Sequence, residues 1–270
     1  MQITDEILTM LVAEVTRSAK YASVSHDLVR EIGSKELAKA KNSKDAIKAT
    51  RNKIHQVGSA YQETPIPYTY WLEELMALPT TIQAPETINF IRACLSLHAS
   101  TKERLPFIET FFRQTLAPIQ PVESILDLAC GLTPLCLPWM PTTANVHYTG
   151  LDIYDNMIHF LDQFYKHFNF NHSFSVMNIL QQIPQERVHL ALVLKTIPCL
   201  EQLDKTIGTR LLETLNAENI LVSFPSRGLG GRSKGMAKNY EAHFNQLIAG
   251  KNWLVTKTEF TNEIAFLIRK

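Results

Sequence analysis

The chain has 270 residues, 45% of them apolar and 20% charged, which excludes a disordered polymer and allows one large α/β domain with an appendage, or two small ones, at about 150 residues each. Lys and Arg number 27 against 26 for Asp and Glu, so the net charge of +1 points to no partner, and only its distribution can. Cys94, Cys130, Cys136 and Cys199 form no C-x-x-C pair and no zinc-type spacing with histidine; they read as reduced and structural, and no metal is expected.

The N-terminus, MQITDEILTM, carries acids where a secretory leader would be positive, and no run of about 18 apolar residues follows. A cytoplasmic protein with no membrane association is expected. Residues 1–116 hold no period-2 strand. Apolar positions such as Ile7, Met10, Leu11 and Val15 fall instead at helical spacing, which predicts an all-helical N-terminal domain. Within it, residues 17–60 carry ten basic residues against four acids. Lys44, Lys48, Arg51 and His55 recur at i, i+4, i+7 and i+11, so one helix side would hold them. That side is a candidate polyanion face, although charge runs of this kind are more often solvated surface. TPIPY at 64–68 and LPTTIQAPET at 78–87 read as interhelical turns, because proline breaks the backbone ladder.

From residue 117 onward, short β-branched runs alternate with helical stretches, the pattern of a parallel sheet covered on both faces. Strands are expected near 124–129, 146–153, 172–179, 188–194, 218–224, 253–260 and 263–269. Only Thr261 and Asn262 separate the last two, too few for a parallel crossover, so these should form an antiparallel hairpin. A doubly wound, seven-stranded α/β sheet with one reversed strand is similar to the Rossmann-like fold of S-adenosylmethionine (SAM) dependent methyltransferases.

In SILDLACGLTPL, Gly131 falls where the first strand gives way to a first helix, and a glycine there lets a ligand approach the backbone. Asp152 ends the second strand 21 residues later, where a carboxylate can accept from ribose hydroxyls. Alone, Gly131 could be a plain tight turn and Asp152 a helix N-cap; together, at two strand ends, they favour a nucleoside. One glycine and Pro134 do not make a pyrophosphate loop, so a ribose cofactor without phosphates, SAM, fits better. Asn178 and Ile179 close the third strand and could hold an adenine, with Ile153 and Leu194 as further apolar neighbours. Asn178 could equally satisfy a loop carbonyl.

HASTKERLPF (98–107), ILDLACGLTPL (125–135), YTGLDIYDNM (148–157), LKTIPCLEQ (194–202) and SFPSRGLGGRSKGMAKNYEAHF (223–244) together resemble the 16S ribosomal RNA (guanine-N7) methyltransferases of the aminoglycoside-resistance Arm/Rmt group, which modify guanine 1405. The resemblance implies that Arg104 reaches the methionine carboxylate of SAM, that Gly131 and Asp152 hold its loop and ribose, and that Lys195, Arg232 and Met236 lie at the target nucleotide. From the residues alone, Lys195 ends an otherwise apolar strand and could instead snorkel to solvent. Asn178 stands where the group usually has aspartate, and Leu203 where it commonly has glutamine.

Guanine N7 carries a lone pair and no hydrogen, so the transfer needs alignment and no general base. Arg227, Arg232, Lys234 and Lys238 are interrupted by four glycines with no acid between 226 and 240. Such a loop could grip RNA phosphates around an extruded base, with Lys44, Lys48 and Arg51 as a second RNA surface, or be an ordinary flexible loop. The expectation is a monomer acting on RNA in the small (30S) ribosomal subunit. Two alternatives stay open: a cytosine-C5 RNA methyltransferase with Cys199 as nucleophile, and a catalytically silent RNA-binding protein.

Overall fold

The computed structural model describes residues 4–58, 65–226 and 235–270. Helices α1 (Asp5–Thr16), α2 (His26–Leu37) and α3 (Ser43–Val57) each begin at a side-chain cap: Thr4, Ser25 and Asn42 accept from the backbone N–H of Ile7, Leu28 and Asp45. These three pack on one another. Helices α4 (Tyr68–Met76), α5 (Pro85–Leu95), α6 (Ala99–Arg104) and α7 (Ile108–Leu116) follow. Pro85 at the first turn of α5 sits where its missing N–H costs nothing.

The remainder alternates: β1 (Val122–Leu128), β2 (Thr142–Asp152), α8 (Asp155–His167), β3 (His172–Val176), β4 (Val188–Leu194), α9 (Ile197–Leu200), α10 (Ile207–Thr214), β5 (Ala217–Pro225), α11 (Met236–Leu247), β6 (Leu254–Glu259) and β7 (Glu263–Arg269). The sheet order is β3-β2-β1-β4-β5-β7-β6. Strands β1 to β5 run parallel, and β7 pairs antiparallel with both β5 and β6. The chain therefore reverses direction of travel between β1 and β4, and a crevice opens at their carboxyl ends.

Alternation along the strands sends side chains to two cores. Ile125, Leu190, Leu192, Leu221 and Leu267 face one core, and Leu126, Ala191, Val193, Ile220, Val222 and Ile268 the other. The first core also holds Leu11, Val29 and Ile54 of the N-terminal helices, Phe111 and Phe112 of α7, and Phe160 and Phe164 of α8. Each such fully buried phenylalanine contributes about 1.5–3 kcal/mol. Helix gives way to strand close to the 116/117 division of the sequence, but one apolar core runs across it. Helices α9, α10 and α11 cover the opposite face.

Two local expectations change. No α-helix follows β1; Pro134 and Pro138, lacking N–H donors, leave a 3-10 segment from Thr133 to Trp139. Strand β3 stops at Val176, because its partner β2 ends at Asp152 and the register Asp152 to Val176 is the last available pair. Asn178 and Ile179 consequently sit on the loop beyond the strand rather than within it.

Candidate functional site

Backbone conformation is unusual on both sides of the reversal point. Ala129 and Gly131 after β1 have φ of 53° and 52°, and Lys195 after β4 has φ of 58°. For the two residues that carry a Cβ this costs about 1–3 kcal/mol each, and it persists at Lys195 because its N–H donates to the Ser223 carbonyl of β5 at 3.0 Å. A Cβ on Gly131 would stand 3.0 Å from Cε1 of His98. His98 is buried, and its burial, then the charges of Lys195 and Arg104, lower its pKa to about 4. The imidazole that covers this turn is therefore neutral at pH 7.

Asp152 closes the turn from the other strand. Its Oδ2 accepts from the Gly131 N–H at 2.9 Å and its Oδ1 from the Ile153 N–H at 2.6 Å. Burial raises its pKa, and these N–H groups oppose the rise. It does not cap the following helix, whose N-cap position is Tyr154. The 21-residue spacing between Gly131 and Asp152 thus corresponds to one direct hydrogen bond.

Around that bond lies a cavity of roughly 890 Å³, open to solvent, which brings together Gly131, Asp152, Ile153, Asn178, Ile179, Leu194 and Lys195, along with Cys199 and Leu203. Leu28, Val57 and Gly58 of the N-terminal helices complete the wall. They reach it because residues 23–25 are stitched to the loop after β2: Ser25 N–H donates to the Ile153 carbonyl at 2.7 Å and Asp155 N–H to the Ser23 carbonyl at 2.9 Å. No spacing rule signals this tertiary contact. Asn178 does not serve a loop carbonyl; its Nδ2 donates to Glu31 Oε2 of α2 at 2.7 Å, and its Oδ1 accepts from the Leu180 N–H at 3.2 Å.

A buried charge cluster forms the other bank. Arg104 is fully buried and does not line the cavity; Nε and Nη2 donate to Glu263 Oε2 and Oε1 at 3.0 and 2.5 Å. Its Nη1 is buried without a hydrogen-bond partner among the described residues. Lys195 is 3% exposed, so it does not snorkel; Nζ lies 2.6 Å from Glu103 Oε2 and 3.7 Å from Glu263 Oε2. Burial alone would push the Glu263 carboxyl up, but Arg104 and Lys195 outweigh it and hold it below the usual range. Beside them Asp127, whose pKa burial raises well above normal, accepts from the Tyr148 hydroxyl at 2.7 Å. Glu103 and His98 stand in the HASTKERLPF segment, where they could have been singled out. Glu263, the first residue of β7 just after the hairpin turn, gives no such signal.

The remaining candidates scatter. Met236 is half-buried at the start of α11, Lys238 is exposed two residues later, and neither lines the cavity. Arg227, Arg232 and Lys234 lie outside the described residues. Lys44 and Lys48 are exposed on α3, and so is His55 two turns on, with its Nδ1 3.2 Å from Lys20 Nζ, but Arg51 interrupts the stripe between them. Arg51 turns inward, and its Nη2 donates to the Glu14 carbonyl of α1 at 2.5 Å. Among the described residues no His, Cys, Asp and Glu cluster is placed to hold a metal, and no helix is long and apolar enough to cross a membrane.

Comparison with known proteins places this geometry. The family described as ribosomal RNA methyltransferase (FmrO) matches residues 17–268. A Serratia marcescens protein named 16S rRNA (guanine(1405)-N(7))-methyltransferase is 33% identical over 100% of this chain and 99% of its own length. A Micromonospora rosea protein of the same name is 30% identical over 98% of both. Among solved structures, the 16S rRNA methyltransferase RmtF in complex with S-adenosyl-L-homocysteine superposes with a TM-score of 0.83 at 29% identity, covering 99% of this chain and 100% of that one. The 16S rRNA methylase RmtB gives 0.80 at 28%, covering 97% and 98%.

Proposed function

Because the chain belongs to the FmrO family of ribosomal RNA methyltransferases, we propose that it transfers the methyl group of SAM to N7 of guanine 1405 of 16S ribosomal RNA and thereby confers aminoglycoside resistance. The observation that carries the reading is the crevice at the reversal point, where Gly131 and Asp152 meet in one hydrogen bond across a largely apolar cavity.

The residues present fit SAM. Gly131 offers backbone without a Cβ, Asp152 keeps lone pairs for ribose hydroxyls, and Ile153, Ile179 and Leu194 give an apolar berth for a flat ring. The proline-bearing 3-10 segment supplies no regular helix N-terminus for phosphates. Arg104 keeps one donor, Nη1, once Glu263 has taken the other two nitrogens, but it is buried outside the cavity lining, so a carboxylate would reach it only after the Arg104–Glu263 pair shifts. Bound SAM would supply an electrophilic methyl group on a sulfonium.

The protein's own contribution is then alignment and exclusion of water, worth up to roughly 7–11 kcal/mol for a well-oriented pair of reactants. Guanine N7 has no proton to lose, so no residue is assigned as a base. Lys195, Arg232 and Met236 position the target. Arg227, Lys234, Lys238, Lys44 and Lys48 contact the RNA backbone, while Arg51 contributes by holding α3 on α1. Cys199, whose Sγ donates to the Lys195 carbonyl at 3.4 Å, has no covalent step to perform in N7 chemistry. The substrate is RNA assembled in the 30S subunit in the cytoplasm, met by a monomer whose own helices cover both sheet faces.

Incubating the protein with 30S subunits and methyl-labelled SAM should place label on 16S RNA that maps to guanine 1405 by primer extension after borohydride reduction and aniline scission, and expression in cells should raise kanamycin and gentamicin tolerance. Unlabelled RNA after prolonged incubation would overturn the reading.

A further inference from the structure

From the contact between α2 and the loop after β3, we infer that Glu31 is a positioning residue for the cofactor's adenine, acting through Asn178. The inference rests on the reading of the crevice as a SAM site. Asn178 lines the crevice and is 7% exposed. Its Nδ2 donates to Glu31 Oε2 at 2.7 Å while its Oδ1 accepts from the Leu180 N–H at 3.2 Å. Both ends of the amide are thereby assigned. Turning it over would set Oδ1 against a carboxylate oxygen and Nδ2 against an N–H, losing two hydrogen bonds and creating two like-pole contacts.

Glu31 is itself held, since its Oε1 pairs with Lys35 Nζ at 2.7 Å one turn along α2. The locked amide keeps one lone pair and one N–H uncommitted among the described residues. That acceptor and donor complement the amino group and a neighbouring ring nitrogen of adenine, as amide side chains do when they read this base. A carboxylate at the same place would offer acceptors only. It would also lie against Glu31 at hydrogen-bond distance, where two carboxylates cannot both ionise comfortably. Asparagine at 178 and glutamate at 31 therefore belong together, although 147 positions separate them.

Calorimetric titration of the full chain with S-adenosyl-L-homocysteine and with its inosine counterpart, in which a 6-oxo group replaces the amine, tests this. Wild-type protein should prefer the adenine compound by about tenfold or more, and Glu31→Ala should narrow that preference to about threefold, because the freed amide can turn its N–H to the oxo group. Asn178→Asp should weaken adenine-compound binding about tenfold, and adding Glu31→Gln should recover most of it. An unchanged preference in Glu31→Ala, with or without a lower melting temperature, makes Glu31 merely structural and overturns the inference. So does an Asn178→Asp chain that the second substitution fails to rescue. Wild-type protein that binds neither compound removes the SAM-site reading, and the inference with it.

Discussion

On the β1–β2 bank of the crevice, backbone N–H groups of Gly131 and Ile153 end on one carboxylate, and the partners lie within 21 residues of each other. On the β4–β7 bank, Arg104, Lys195, Glu103 and Glu263 form a charge cluster between residues 92 and 159 positions apart. The first arrangement is local and rests on one carboxylate, so an amide in its place would keep one of the two hydrogen bonds and set its NH2 against the other N–H. In the second, Arg104, Lys195 and Glu263 are desolvated while Glu103 is 27% exposed, and a buried charge that loses its partner has no fallback. The two banks should therefore fail differently under mutation.

Glu263→Gln gives the largest expected effect. It leaves the guanidinium of Arg104 and the ammonium of Lys195 facing a neutral group, and about 3–5 kcal/mol of stability should be lost. Asp152→Asn, by contrast, should cost about 1 kcal/mol of stability while weakening SAM binding. Thermal unfolding by calorimetry compares them directly; equal melting points for the two variants would erase the proposed distinction. Replacing both partners, as Arg104→Met with Glu263→Leu, should recover much of the stability and none of the methyl transfer.

Acid should separate the banks next. His98, between them, is held neutral in the fold with its pKa lowered from 6.5 to about 4. The unfolded chain thus binds a proton that the folded chain refuses between those values, and stability contributed by His98 falls as pH drops from about 6.5 towards 4, by roughly 3 kcal/mol in all. Asp127 and Asp152 act with the opposite sign, because burial raises their pKa and protonation favours the folded form. Only the difference between wild type and His98→Gln isolates the imidazole. Parallel stability-pH curves for the two proteins would refute the assignment.

The same contrast explains what could be read from residue order. The seven strands, the reversed β7 and the Gly131–Asp152 pairing follow from periodicity and short spacing, which are properties of local chain. Glu263 could not be found that way; directly after the turn between β6 and β7 it looks like a solvated turn residue, and only burial against α6 gives it a role. Leu28, Val57 and Glu31 were equally silent, because the helices carrying them are placed by tertiary packing. The 3-10 segment after β1 was within reach, since Pro134 and Pro138 forbid the α-helix that the general fold would suggest.

The smallest effect concerns α3, where exposure divides one charged stripe into two functions. Lys44 and Lys48 project to solvent, whereas Arg51 is committed to the Glu14 carbonyl. Charge reversal at both lysines should weaken 30S binding about tenfold near 0.1 M salt and flatten its logarithmic salt dependence by roughly one to two, the share of two phosphate contacts. SAM affinity and melting temperature should not move. Arg51→Ala should do the reverse, lowering the melting temperature by loosening α3 from α1 while leaving the salt slope intact. If Lys44→Glu with Lys48→Glu lowers SAM affinity in step with subunit affinity, the lysines belong to the same packing system as Arg51, and the helix has no separate RNA face.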